Sequence, residues 1–166
     1  MRKSTEVLLF FSEKLGSLTV HQASKMLWFA DKAHLAKWGK VITNEKYIAR
    51  QYGPVPKETY NRMQLSRDFG HPEDPNSENG EFEVRGYVIT GRRKPDLSLL
   101  SESEIEVCNN VLNKYGKKSF NELTELSHTS DYKNTPQNKE IKFNDIVDDI
   151  DKNGLLKEHL SIAYGG

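Results

Sequence analysis

The segment from Thr19 to Gly39 sets the tightest limit on what this chain can fold into. Thr19 and Gln22 have the spacing of a capping box, in which the hydroxyl takes a backbone N–H of the first turn and the amide reaches back. Gly39 supplies the stop. Between them Val20, Ala23, Leu27, Ala30, His34 and Trp38 recur at i+3/i+4 steps, and Trp28, Phe29 and Leu35 add apolar surface off that stripe. A helix apolar on several sides belongs in the middle of a domain. A recognition helix, by contrast, needs one polar face left free. The 166 residues suit one domain spanning 1–166, with the other elements wrapped around this helix.

Those elements are legible in outline. Val7, Leu8, Phe11 and Leu15 predict a helix over about Thr5–Leu15, ended by Gly16. Val41, Ile42, Tyr47, Ile48 and Tyr52 favour extended backbone, so 40–52 reads as a short strand or irregular crossing. Gly53-Pro54-Val55-Pro56 reads as a rigid corner. A third helix follows to about Phe69, with Tyr60 and Met63 inward, and then a polar surface loop over Gly70–Gly80. Glu81–Ile89 alternates as a strand with a slip at Gly86. Thr90-Gly91 would turn the chain, and Arg93–Leu97 would return as an edge strand because of Pro95. Ser101 with Glu104 and Ser119 with Glu122 are two further capping boxes. The first helix would bury Ile105, Cys108, Val111, Leu112 and Tyr115, the second Phe120, Leu123 and Leu126. After a polar turn region beyond His128, Phe143, Ile146, Val147 and Ile150 mark one more helix, ended at Asn153-Gly154. The expected class is mainly α with a small β element (α+β), a compact helical domain with a β-hairpin.

Charge and cysteine content narrow the function. No run approaches the roughly 20 apolar residues of a membrane span. The apolar stretch after Arg2 and Lys3 is broken by Glu6 and Glu13, with no small-residue cleavage site beyond it, so no signal peptide is expected. One cysteine, Cys108, has no internal disulfide partner and sits on an apolar helix face as a packing group, which suits the cytoplasm. Net charge is zero, but the first 69 residues hold 12 basic and 6 acidic side chains and the remainder 12 and 18. That asymmetry fits a nucleic-acid face, two subregions that attract each other, or a basic face for an acidic protein partner. The protein readings are preferred, because a strong phosphate binder usually carries a net positive domain.

Chemistry is sparse. Asp31 and His34 share a helix face and, with His128, are the candidate constellation for a metal or hydrolase site. The plainer reading is a hydrogen-bonded histidine beside a polar neighbour. Asp149 to Gly154 copies the first half of an EF-hand loop, but the twelfth position is Leu160 where a bidentate glutamate is required. No nucleophile elbow, phosphate loop or dinucleotide fingerprint is present. The reading is of a non-enzyme with no metal and no cofactor.

Met26–Thr43, MLWFADKAHLAKWGKVIT, and Tyr47–Pro56, YIARQYGPVP, together resemble the signature of the Panacea domain. This is an antitoxin domain, also called SocA-like or GepA-like and often phage-associated. The matching positions are Trp28, Phe29, Ala30, Asp31, His34, Gly39, Ile42, Thr43, Tyr47, Tyr52, Gly53, Pro54, Val55, Pro56 and Tyr60, with tyrosine more usual at position 28. Leu100–Glu104 and His128 also fit, so the resemblance spans most of the chain. It implies a helical domain with a small β element that inactivates a cognate toxin by direct contact. One branch of the family instead hands its toxin to a protease as an adaptor. It carries over no catalytic residue, and the signature positions look architectural. Trp28, Trp38, Tyr52 and Tyr60 are expected in the core rather than as exposed anchors. Lys37, Lys40, Arg50 and Arg62 are the candidate charged rim of a partner interface. The competing reading is a winged-helix DNA-binding regulator, with its own operon as the candidate target, built on the Thr19–Trp38 helix and the extended pair at 81–97.

Overall fold

The computed structural model describes residues 2–70, 80–151 and 153–164. The Gly70–Gly80 loop assignment falls almost wholly on 71–79, outside the described residues. Eight α-helices are described: α1 (Lys3–Leu15), α2 (Val20–Trp38), α3 (Lys57–Phe69), α4 (Glu102–Tyr115), α5 (Phe120–Ser127), α6 (Ser130–Lys133), α7 (Phe143–Ile150) and α8 (Leu155–Tyr164). Strands β1 (Leu18–Thr19), β5 (Val88–Gly91) and β4 (Phe82–Arg85) form one antiparallel sheet in that spatial order, and β2 (Tyr47–Arg50) pairs with β3 (Gly53–Pro56). The fold is mainly α with a small β element.

α2 is the axis, as its all-round apolarity requires. It packs against α1, α3, α4, α5, α7, β1 and β3. Met26, Leu27, Trp28 and Leu35 are fully buried along it. All three capping boxes form, at Thr19/Gln22, Ser101/Glu104 and Ser119/Glu122. The Glu104 carboxylate, buried, also takes the Lys3 ammonium at 2.9 Å, so one cap ties α1 to α4. Pro56 has no side-chain donor or acceptor to start α3. Glu45 does this from the preceding loop, accepting the N–H groups of Glu58 and Thr59.

Several readings need correction. Gly53–Pro56 is a strand, not merely a corner. Its prolines are tolerated because β2 turns the backbone of Tyr47 and Ala49 outward, to residues 138–141, and so leaves Ile48 and Arg50 to bond Val55 and Gly53. The segment 81–91 folds back on itself at Gly86-Tyr87, with Gly86 at φ +62°, which a two-residue hairpin turn favours. Thr90-Gly91 therefore lies in strand β5, and Arg93–Leu97 makes no strand. Ion pairs hold that segment instead: Arg93 bonds Glu6 at 2.8 Å and Glu81 at 3.0 Å, and Glu6 takes the Asp96 N–H. The polar turn after His128 is the one-turn helix α6, and α8 extends the chain beyond Gly154.

Phe120 and Leu126 are half exposed, because the eight-residue α5 buries only Leu123 and Ser127. Trp38, on the last turn of α2, and Tyr52, at the hairpin tip, are 49% and 51% exposed rather than core. The charge asymmetry is answered largely inside the molecule. Lys3, Lys32, Lys37 and Arg62 of the basic first part pair with Glu104, Asp131 and Asp149, Glu106, and Glu81 of the acidic remainder.

Candidate functional site

Asp31 is the knot of the signature. Its buried carboxylate accepts the N–H groups of Ile42 (2.9 Å) and Thr43 (2.8 Å) and the hydroxyls of Thr43 (2.6 Å) and Tyr47 (2.7 Å). Burial pushes this carboxyl up to about 6, against the pull of those four donors. His34, one turn on and fully buried, donates from Nδ1 to the Lys40 carbonyl at 2.6 Å, and its Nε2 stands 2.9 Å from the Ser103 hydroxyl. The two residues thus lash 40–47 onto α2. The Trp28 ring meets Tyr47 edge-on at 4.9 Å, and Phe29 stacks on Tyr115 at 4.0 Å. Ala30, almost fully buried, belongs to the same core.

The constellation of Asp31, His34 and His128 does not meet. His128 stacks on Tyr132 at 4.4 Å, and among the described residues no group of three or more His, Cys, Asp or Glu is placed to hold a metal ion. The EF-hand-like carboxylates have structural work. Asp149 receives Lys32 at 2.6 Å and the Ser130 N–H, and Asp151 caps α8 through the N–H groups of Leu156 and Lys157. Burial raises the Cys108 thiol to about 12, so it is held protonated.

The knot fixes the hairpin. Beyond it the chain runs through β2, turns at Gln51-Tyr52 and returns along β3 against α2 and α5. Gly53 has φ +114°, and a Cβ there would strike the Ser127 hydroxyl and lie 2.7 Å from Lys25 Cε. Only glycine lets the strand lie this close to α2 and α5. Beside the hairpin runs a groove of about 1170 Å³. Its walls include Tyr52, Tyr60, Phe120 and Tyr87, and its floor includes Lys25. Phe120 stacks on His21 at 3.9 Å and meets Tyr52 edge-on at 5.2 Å. Burial, and then the Lys25 charge, lower His21 to about 4.

Of the rim candidates, Lys40 and Arg50 are exposed. Lys37 is exposed but paired with Glu106 at 2.6 Å. Arg62 is not rim: it is buried, bonded to Thr5 at 2.5 Å and Glu81 at 2.9 Å. Sequence reasoning missed Lys25, Lys32 and Glu6, since a charged residue within a helix reads as solvated until its distant partner is known.

A family model described as antitoxin SocA-like, Panacea domain, matches residues 24–133. The chain belongs to that family. No curated protein and no solved structure matches it. The Panacea segment runs from within α2 to the end of α6, so it contains the Asp31 knot, the hairpin and most of the groove wall. α1 and α7 add buried residues from outside it. None of the described helices is long and apolar enough to cross a membrane.

Proposed function

We propose that this Panacea protein is an antitoxin that neutralises a cognate toxin by direct contact, without catalysis, through the face around the hairpin tip. One observation carries the reading. The signature residues capable of chemistry, Asp31 and His34, are spent on internal hydrogen bonds, while the hairpin they brace presents Tyr52 half exposed beside Phe120. Exposed aromatics on a rigid support are the usual anchors of a protein interface. Arg50 stands at the rim of that face, and occlusion would bury an interface of roughly 1,600 Å².

The test is co-expression with the adjacent gene, whose product is the candidate toxin. Rescued growth and co-purification are expected. The absence of both rescue and capture would defeat the proposal. Toxin abundance separates masking from a protease-adaptor role: masking leaves it unchanged, whereas delivery to a protease lowers it.

The DNA-binding reading gains one feature and loses another. Setting the β2–β3 hairpin aside, the order α1-β1-α2-α3-β4-β5 with sheet order β1-β5-β4 is that of a winged helix. That likeness is one of fold alone. α2 is buried, and α3, which takes the recognition-helix place, exposes Lys57 and Arg67 alongside Glu58 and Asp68. A face of balanced charge gives phosphates little hold. A salt-sensitive shift of upstream DNA in a gel would reverse this preference.

A further inference from the structure

The floor of the groove holds a charge that the fold leaves half answered. The Lys25 side chain is buried, and its ammonium has one acceptor, the Pro54 carbonyl oxygen at 2.9 Å. An ammonium carries three donors. Other buried charges here are answered more fully: Glu6 by Arg93, Asp131 by Lys32, Arg62 by Glu81, and Asp31 by four hydrogen-bond donors. Among the described residues no carboxylate pairs with Lys25. Burial accordingly depresses it to about 7, the result expected of an ammonium without a counter-ion. A neutral donor would fasten the Pro54 carbonyl at lower cost.

The surroundings repeat the sign. Arg50, and Lys118 in an exposed pair with Glu122 at 3.8 Å, are the other formal charges on the groove, and no Asp or Glu is among its described lining residues. Its wall is aromatic, with Phe120 and Tyr52 about half exposed. A positive floor under an aromatic wall complements a carboxylate flanked by an apolar group.

We infer that this groove receives an acidic side chain of the partner protein, an Asp or Glu beside an apolar residue, with the carboxylate completing Lys25 and its neighbour lying against Phe120 and Tyr52. The inference rests on the antitoxin reading and specifies the surface chemistry the toxin must offer. Single-stranded nucleic acid also favours cations with aromatics, but it tracks a row of accessible cations along its backbone. Here the central cation is single and buried, which suits one carboxylate.

The experiment is calorimetric titration of the candidate toxin encoded next to this gene, in an inactive form, into the full chain and its Lys25→Met, Tyr52→Ala and Lys94→Ala variants. Lys25→Met keeps the shape and removes the charge. It and Tyr52→Ala are each expected to weaken binding about tenfold or more, while Lys94→Ala, exposed and outside the groove, changes it less than about twofold. Thermal melting checks the fold. A structural role alone would lower the Lys25→Met midpoint and spare affinity, whereas the inference expects the midpoint held or raised and affinity lost. Should Lys25→Met not fold, Tyr52→Ala decides, because its ring is half exposed. Wild-type affinity in both groove variants would overturn the inference and leave the antitoxin reading standing. No binding by the unaltered chain defeats both. Lys25-dependent binding of a 15-nucleotide oligothymidylate, in place of the toxin, would assign the groove to nucleic acid and overturn the inference.

Discussion

A carboxylate and an ammonium on one helix, Asp31 and Lys25, illustrate two ways of burying a charge. Asp31 is surrounded by donors. Asp31→Ala would orphan two backbone N–H groups and two hydroxyls, and is expected to cost at least about 3 kcal/mol in urea denaturation. Asp31→Asn, whose amide can still meet the two hydroxyls as they rotate, should cost distinctly less. Equal losses for the two variants would mean the donors do not matter. Lys25 has the opposite problem, and it shows in pH. The folded protein gives up the Lys25 proton near pH 7, whereas the unfolded chain holds it to about 10.5. Between those values the unfolded state binds more protons, so stability should rise with pH and the Lys25→Met variant should lose that slope. His21, lowered to about 4, has the same sign but acts below pH 6.5. Asp31, raised to about 6, acts in reverse between about 3.8 and 6. A urea midpoint that stays level from pH 7 to 10 in the unaltered protein would contradict the assignment. The sequence showed Asp31 and His34 as polar neighbours on one helix face. It did not show Lys25, whose acceptor lies 29 residues away.

Elements whose signals are local were legible. The three capping boxes and the glycine stops at Gly16 and Gly39 depend on residues within a turn of one another, and they form as read. Elements whose signals are long-range were not. Gly53–Pro56 looked like a corner because its prolines argue against a strand, and only the outward bonding of Tyr47 and Ala49 makes them harmless. Period-2 alternation predicts the turn of the 82–91 hairpin four residues late, because it does not reveal where a strand folds back. Phe120 looked like core and proved to be groove wall. The hairpin offers its own test. Gly53→Ala puts a methyl group into Ser127 and Lys25 at a φ that alanine avoids. A loss of about 2 kcal/mol or more is expected, read as a lower melting midpoint. An unchanged midpoint would show that the hairpin does not press on α2 and α5 as described.

Across the whole molecule, charge acts mainly as internal wiring. The basic first part and acidic remainder join at Lys3–Glu104, Lys32–Asp131–Asp149 and Arg62–Glu81, so little of the imbalance is left to face a partner. Lys32→Met would strand the buried Asp131 and is expected to destabilise by about 3 kcal/mol in urea denaturation, with a loss under 1 kcal/mol counting against the wiring. The balanced composition hid this division, since counts cannot say which charges meet. On the proposed reading, the positive charge that remains at the hairpin tip, Lys25 and Arg50, belongs to the partner-binding face. Hydrogen–deuterium exchange on the complex with the neighbouring toxin tests the claim most directly. Slowed exchange is expected most strongly at 50–53 and 118–122, more weakly in α3 and the β4–β5 turn, whose Tyr60 and Tyr87 wall the same groove, and not in α7 and α8. Slowing confined to α3 and that turn, or to α7 and α8, would contradict it.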